Sequence, residues 1–392
     1  ISLMFIYIVP LEPFSDMLSI FNIAISGMKD PEGYLSNYNN QIPITVYLWI
    51  ITKVFGKKII IPKIFNIVCD VVILYFVYKI YQILFDKKDE CKSIVWFVAP
   101  FLPVILYTNH IYNDVLYTAL TMTLLYMVLK SKWSTLNYVI MCVISVIQYV
   151  IRPVGIIYII ALTMHMVLYR KDIKKAVIYV FISMTFITLI GKVNDRVFNV
   201  DKSKQFPVWS FIQMGVNEEE FGFQDGTHSH DWTMDDCIKK YKDLGVKKVL
   251  TIYGKKTLWM WSEGTYQAER YGFGDSFAQF SRENSITQSL LDVNNSFIRI
   301  ALEKLMKAQY YIYMVLALIG IVVIRKGKKE QYNRQAVLMY LICGFFCFYL
   351  LWEIKSRYIY SMYPIIMIYA YAGWERVCKE VLKRKNKLIT TD

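Results

Sequence analysis

Apolar and polar positions are not spread evenly along this chain. Runs of Ile, Leu, Val, Tyr and Phe, 16 to 22 residues long and nearly free of charge, recur at 64–85, 93–109, 114–130, 135–151, 153–169, 176–191, 308–324, 335–352 and 358–375. A bilayer core of ~30 Å takes roughly 20 such residues per helix. Each run therefore predicts a membrane-crossing helix. Residues 1–10 (ISLMFIYIVP) are too short to cross alone and read as the end of a truncated first span. A further stretch, PITVYLWIITKVFG at 43–56, has 14 residues and contains Lys53, which fits a short span or an interfacial helix.

Charge decides between those two. Suppose 43–56 does not cross. One side then collects Lys87, Lys88 and Lys92, Lys130 and Lys132, Arg170, Lys171, Lys174 and Lys175, the cluster around Arg325–Arg334, and the basic tail from Arg376 onward. Loops rich in Lys and Arg mark the cytoplasmic side. If 43–56 crossed, every later loop would invert, so it is placed in the outer interface. The outer side then holds loop 11–63, the short turn 109–114, a long polar segment at about 192–307 and a turn at 353–357. A hundred residues of structureless loop is improbable. Segment 192–307 is therefore expected to be a small, mainly helical subdomain, with helices at 234–261 and 287–307. The predicted organisation is a transmembrane module at 1–191, an extracytoplasmic segment at 192–307, and closing helices with a basic tail at 308–392.

Composition agrees with this pattern. The chain has 392 residues, 56% of them hydrophobic, and a formal charge of +14. In a soluble chain that charge would point to nucleic acid. Here the positive-inside pattern accounts for it, and no nucleic-acid partner is expected. Seven cysteines form no disulfide framework. Cys343 and Cys347 stand one helical turn apart in an apolar run and are expected to pack in the core.

The unusual polar residues gather on the outer side. Glu12, Ser15 and Asp16 follow the first apolar run, Asn113 and Asp114 open 114–130, and Arg152 sits between two spans. Glu353, Lys355, Arg357 and Tyr358 occupy WEIKSRYIY. Ionisable groups at a membrane edge are costly and commonly functional. Each has a plainer reading. Asp16 and Asp114 suit helix N-termini. Arg152 suits an interfacial snorkelling position. Arg357 suits a lipid headgroup or a local pair with Glu353.

Together, two carboxylates and two arginines suit glycosyl transfer from a lipid phosphate. A carboxylate takes the proton of an attacking hydroxyl. Arginine matches the departing phosphate through its planar fork. One base opposite the leaving group gives inversion, as in inverting glycosidases.

PFSDMLSIFNIAISG, the interfacial element at 43–56, YNDVLYT (112–118), IRPVG (151–155) and SRYIYSMYP (356–364) occur in that order. In this order the chain resembles the GT-C glycosyltransferases, in particular bacterial relatives of protein O-mannosyltransferases and of lipid A aminoarabinose transferase. The resemblance implies an all-α polytopic membrane protein, a GT-C-like helical bundle with an extracytoplasmic, mainly helical subdomain. It implies Asp16 as catalytic base and Asp114 as a second catalytic carboxylate. Arg357, Arg152 and Tyr358 would bind the donor phosphate, and Glu353, Lys355 and Asn113 the rest of the substrate. The donor would be a polyprenyl-phosphate-linked sugar, met in the membrane among its lipids. The acceptor is open among glycan, lipid, wall polymer and protein. A divalent cation is left open, because members differ in requiring one.

Other motifs are weaker. THSHD (227–231) lacks a second ligand pair for zinc, YGFGDS (271–276) lacks a dinucleotide-binding context, and YGKKT (253–257) lacks a P-loop's upstream glycine. WMWSEGTYQAERYGFG (259–274) fits either sugar stacking or an interfacial aromatic belt. Two rival functions remain: a polysaccharide polymerase or ligase, and a lipid or solute transporter. The transporter would place ionisable groups along a path at mid-membrane; Asp70 and Lys79 in 64–85, and His165 near a span end, are the residues that bear on it.

Overall fold

The computed structural model describes residues 1–87, 92–130, 133–223, 232–275, 278–325 and 329–389. Among them the regular structure is helical, and the extended pairings are two isolated bridges, Leu11 with Phe280 and Phe223 with Ile354. The first helices are α1 (Ser2–Ile8), α2 (Asp16–Ile25), α3 (Tyr34–Asn37), α4 (Ile42–Phe55) and α5 (Ile60–Phe85). Next come α6 (Ser93–Val98), α7 (Leu102–Tyr107), α8 (Asn113–Leu129), α9 (Thr135–Ile151), α10 (Ile156–Met164) and α11 (Ile173–Val197). The chain continues with α12 (Val208–Met214), α13 (Met234–Ser262), α14 (Ala268–Phe273), α15 (Ser285–Leu291), α16 (Phe297–Arg325), α17 (Lys329–Leu351) and α18 (Tyr363–Ile389).

Local chemistry sets several boundaries. Ser134 and Asp172 accept backbone N–H bonds at the starts of α9 and α11. Thr233 and Asp236 form a reciprocal capping box at the start of α13, satisfying donors that a helix start leaves open. Gly245, at φ 69°, kinks α13.

Among the described residues, four helices are long and apolar enough to cross a membrane: Ile60–Phe85, Ile173–Val197, Phe297–Val322 and Arg334–Leu351. The expected spans 114–130, 135–151 and 153–169 are present as shorter apolar helices. The protein is thus an all-α polytopic membrane protein. The expected span 358–375 opens as a tight 3-10 turn, Ser356–Met362, before α18 begins at Tyr363, and another expected span is corrected. Stretch 93–109 is not one helix but α6 and α7, broken at 99–101. Pro100 and Pro103 explain the break: neither supplies a backbone N–H, and each crowds the preceding turn. The short element at 43–56 forms α4, packed on α2 and α5. The helix expected at 234–261 is α13, whereas 287–307 is divided between α15 and the start of α16. The described part of 192–307 is helical and packs directly on the bundle, with Tyr266, Ala268, Tyr271 and Phe273 in the common core.

Helices α16 and α18 cross closely. A Cβ on Gly320 would stand 2.0 Å from the Tyr369 carbonyl oxygen, and one on Gly373 would stand 1.9 Å from that of Leu316. Small residues at a crossing allow such backbone approach. A second correction concerns Cys343 and Cys347, which face outward rather than into the core. Lipid-facing and core-facing positions are equally apolar in a membrane helix, so hydropathy does not separate them.

The two ends of the bundle differ. At one end Lys87 pairs with Glu375 at 3.1 Å, Arg334 with Asp86 at 3.0 Å, and Arg170 donates to the Val128 carbonyl. These are the basic loops that the charge pattern groups together. At the other end Asn109 donates to the carbonyls of Val9 and Gly272, Gln41 donates to the Tyr112 hydroxyl, and Lys256 donates to the carbonyls of Gly215 and Trp352. The second end carries the polar residues singled out in the sequence.

Candidate functional site

A cavity of about 480 Å³ opens at that second end. It lies between the 37–41 turn, the starts of α8 and α10, segment 205–211, and the end of α17 with the turn that follows. Asn113, Arg152, Glu353, Arg357 and Tyr358 line it, so five of the eight residues proposed from sequence come together here.

The two arginines have different situations. Arg152 donates to Asp114 Oδ1 at 2.5 Å. Asp114 is buried, and its other oxygen lies 3.0 Å from His110 Nε2. Asp114 is therefore neither a free cap nor an exposed base: both carboxylate oxygens are occupied. Burial pushes the His110 ring's pKa down, against the opposing pull of Asp114, so the ring is neutral and donates its Nε2–H to the carboxylate. Arg152 is not a snorkelling surface cation but half of a buried pair, resting on the Tyr117 and Tyr358 rings. Breaking such a pair leaves a lone buried charge at a cost of about 3–5 kcal/mol. Arg152→Ala is thus expected to lower the thermal unfolding midpoint strongly in detergent; an unchanged midpoint would contradict the anchoring role.

Arg357 has no such partner. It is 7% exposed, and among the described residues it makes no ion pair and no hydrogen bond, its Nε being buried and unsatisfied. It is held instead over three rings, Tyr112 at 5.0 Å, Tyr271 at 5.1 Å and Tyr358 at 5.7 Å. Burial disfavours its charge, but Tyr271, Asp114, Tyr112 and Tyr358 outweigh that and keep it ionised. The expected local pair with Glu353 does not form. Glu353 is buried and accepts a 2.5 Å hydrogen bond from the Tyr358 hydroxyl. Lys355 is half-buried beside Arg357. Burial first, and then the Arg357 charge, lower its pKa to about 8.

The turn carrying these groups is fixed from below. Lys256 of α13 is fully buried and donates to the carbonyls of Gly215 and Trp352, at 2.8 and 2.9 Å.

Asp16 is exposed at the first position of α2, where a carboxylate is favoured by the helix dipole. The cap position belongs to Ser15, which makes no side-chain cap bond. Asp16 does not line the cavity, but it is electrically joined to it. Tyr112, Tyr271 and Lys355 each lie within reach of both Asp16 and Arg357. The Tyr34 hydroxyl is pushed well up, first by burial and then by Tyr112 and Asp16.

Asn113 donates its amide N–H to the Ile151 carbonyl and turns a buried Oδ1 that has no partner among the described residues. Gln41, which also lines the cavity, has a buried Oε1 in the same condition. Both are acceptors awaiting a hydroxyl or amide donor. Aromatic rings complete the wall, with Phe211 stacked on Trp352 at 5.1 Å.

Sequence reasoning missed Tyr112, Tyr271, His110 and Gln41. His110 left a signal in its spacing of four from Asp114, and Tyr271 lies in the aromatic stretch 259–274 considered for sugar stacking. Residues 227–231 lie outside the described residues, as does Ser276 of YGFGDS. Among the described residues no group of three His, Cys, Asp or Glu side chains is disposed to hold a metal ion, and both Asp114 oxygens are already bonded. No protein-family model, curated protein or solved structure matches this chain.

Proposed function

We propose that the protein is an inverting, GT-C-like glycosyltransferase that moves a sugar from a polyprenyl-phosphate carrier to an acceptor on the extracytoplasmic face of a multi-pass membrane arrangement. The observation that carries this reading is Arg357, a buried guanidinium without a counter-ion at the wall of a roomy cavity. A buried charge is ordinarily paired, and an anion of the substrate supplies the missing partner. The guanidinium fork matches phosphate geometry.

In this reading the acceptor hydroxyl oxygen attacks the anomeric carbon as its proton passes to Asp16. The bond from that carbon to the phosphate oxygen breaks, and the lipid phosphate leaves with the electron pair. Charge grows on the phosphate as the bond lengthens, where Arg357 and Lys355 stabilise it. Arg152 and Asp114 hold the shape of the wall, so the phosphate role first considered for Arg152 passes to Lys355. Asn113 and Gln41 accept sugar hydroxyl bonds. An apolar groove of about 890 Å³ between α10 and α11, lined by residues such as Val167, Val180 and Met184, offers room for an isoprenoid tail.

Lys355 sets a pH dependence. Its folded pKa of about 8 lies below the ordinary lysine value of 10.5. Charged Lys355 is therefore lost as pH rises through 8, and donor KM is expected to climb there. Lys355→Met should remove that alkaline limb; a limb unchanged in the variant would exclude Lys355. Stability moves the other way. A depressed lysine pKa means the unfolded chain binds more protons between pH 8 and 10.5, so this group makes folding more favourable as pH rises through that window.

A transporter is the second reading, favoured by one observation. Asp70 is buried inside α5, and neither carboxylate oxygen has a partner among the described residues. Incubating purified protein with a panel of polyprenyl-phosphate sugars and following free polyprenyl phosphate separates the two. Release in the presence of an acceptor supports transfer; substrate movement across vesicles without release supports transport.

A further inference from the structure

Helices α8 and α17, which contribute to the candidate site at one end, and the turn that follows α10 border a second cavity at the other. It measures about 730 Å³ and is lined by His165, Lys130, Arg170, Arg334 and Asp86, together with apolar and tyrosine side chains. Tyr112 and Asn113 face the first cavity from the start of α8, and Leu129 and Lys130 reach the second from its end. The two spaces are therefore opposite each other along the bundle.

His165 is the unexplained group. It is 1% exposed, and among the described residues neither ring nitrogen has a hydrogen-bond partner. A buried imidazole always presents at least one N–H, and leaving it unbonded is costly. His165 also begins a π-helical turn, His165–Tyr169, in a segment with no glycine or proline to cause it. Such turns add a residue to a helix and occur often at functional sites.

The rim is cationic and held in place. Arg334 donates to Asp86 at 3.0 Å and to the Ile83 carbonyl. Arg170 donates to the carbonyls of Val128 and Lys130 and lies 4.2 Å from the Trp133 ring centroid. The exposed Lys130 lies over the Tyr126 ring. Among the described residues that line the cavity, Lys130, Arg170 and Arg334 are cationic, and the carboxylate of Asp86 pairs with Arg334. A cationic rim favours an anion, and the buried imidazole offers it a directed N–H.

We propose that this cavity is a second anion site, which takes a phosphate group at the end of the bundle opposite the candidate active site. The phosphate comes from an anionic phospholipid headgroup or from free phosphate. Guanidinium groups suit either, and basic pockets between membrane helices are known to seat lipid headgroups. The inference does not depend on the glycosyltransferase reading.

Full-length protein in nanodiscs of phosphatidylcholine mixed with phosphatidylglycerol tests it, with retained lipid counted by native mass spectrometry. Wild type should retain phosphatidylglycerol over phosphatidylcholine by about tenfold. His165→Phe, which fills the space and removes the N–H, should lose that preference, whereas His165→Gln should keep most of it. Lys130→Gln, at the exposed rim, should weaken it and decides the matter if His165→Phe does not fold. A parallel arm adds excess inorganic phosphate. Displacement of lipid by phosphate, or phosphate binding that His165→Phe abolishes, makes free phosphate the source. Equal retention of both lipids with no phosphate binding, or a preference untouched by both His165→Phe and Lys130→Gln, overturns the proposal.

Discussion

Asp16→Asn is expected to lower sugar transfer by ~10²–10⁴-fold, the range of a lost general base, with folding and membrane insertion intact. The physical grounds are its place in the fold. Asp16 is exposed at the first position of α2 and makes no cap bond there. Its loss removes a helix-dipole interaction of about 0.3–1 kcal/mol, and the amide can keep the contact with the half-buried Tyr34 hydroxyl. The substituted amide cannot take a proton from an acceptor hydroxyl. Turnover measured with a working donor, alongside the thermal midpoint, separates the two effects. Full activity in the variant excludes Asp16 as the base. Lost activity together with a fallen midpoint would make it structural.

Arg357→Met should do the opposite of an ordinary core substitution: donor binding falls sharply and stability barely moves. Removing one member of a buried charged contact typically costs 2–5 kcal/mol, so donor affinity should drop by about 30-fold or more. Stability is a contest between two terms. Burying the cation costs several kcal/mol. Contacts with the Tyr112, Tyr271 and Tyr358 rings return about 0.5–2 kcal/mol each. Together with the Asp114 charge they offset that cost, so the midpoint should stay level or fall slightly. Arg357→Lys should not restore binding fully, because an ammonium lacks the planar fork. A strongly destabilised Arg357→Met with unchanged donor affinity would mean the guanidinium serves the fold alone.

The gathering of polar residues was legible in the sequence because each sits where an apolar run ends, and apolar runs fix their own ends. Arg152, Glu353, Arg357, Tyr358 and Asn113 meet around one cavity for that reason. Their roles were not legible. Whether an arginine is committed or available depends on which carboxylate reaches it, and Arg152 meets Asp114 across two helices. Tyr271 comes from the polar segment between α11 and α16, and nothing in its neighbourhood announces that it will face Arg357. Cys343 and Cys347 show the limit of hydropathy, since lipid and protein interior accept the same side chains. The break between α6 and α7 was written in Pro100 and Pro103, but an unbroken apolar run concealed it.

Binding of a polyprenyl monophosphate to three proteins, wild type, Asp16→Asn and Arg357→Met, tests the central claim most directly. The account predicts that Asp16→Asn binds the lipid phosphate as tightly as wild type while its sugar transfer falls by ~10²–10⁴-fold, and that Arg357→Met loses the binding. Equal affinity in all three, or no measurable affinity in wild type, would contradict it.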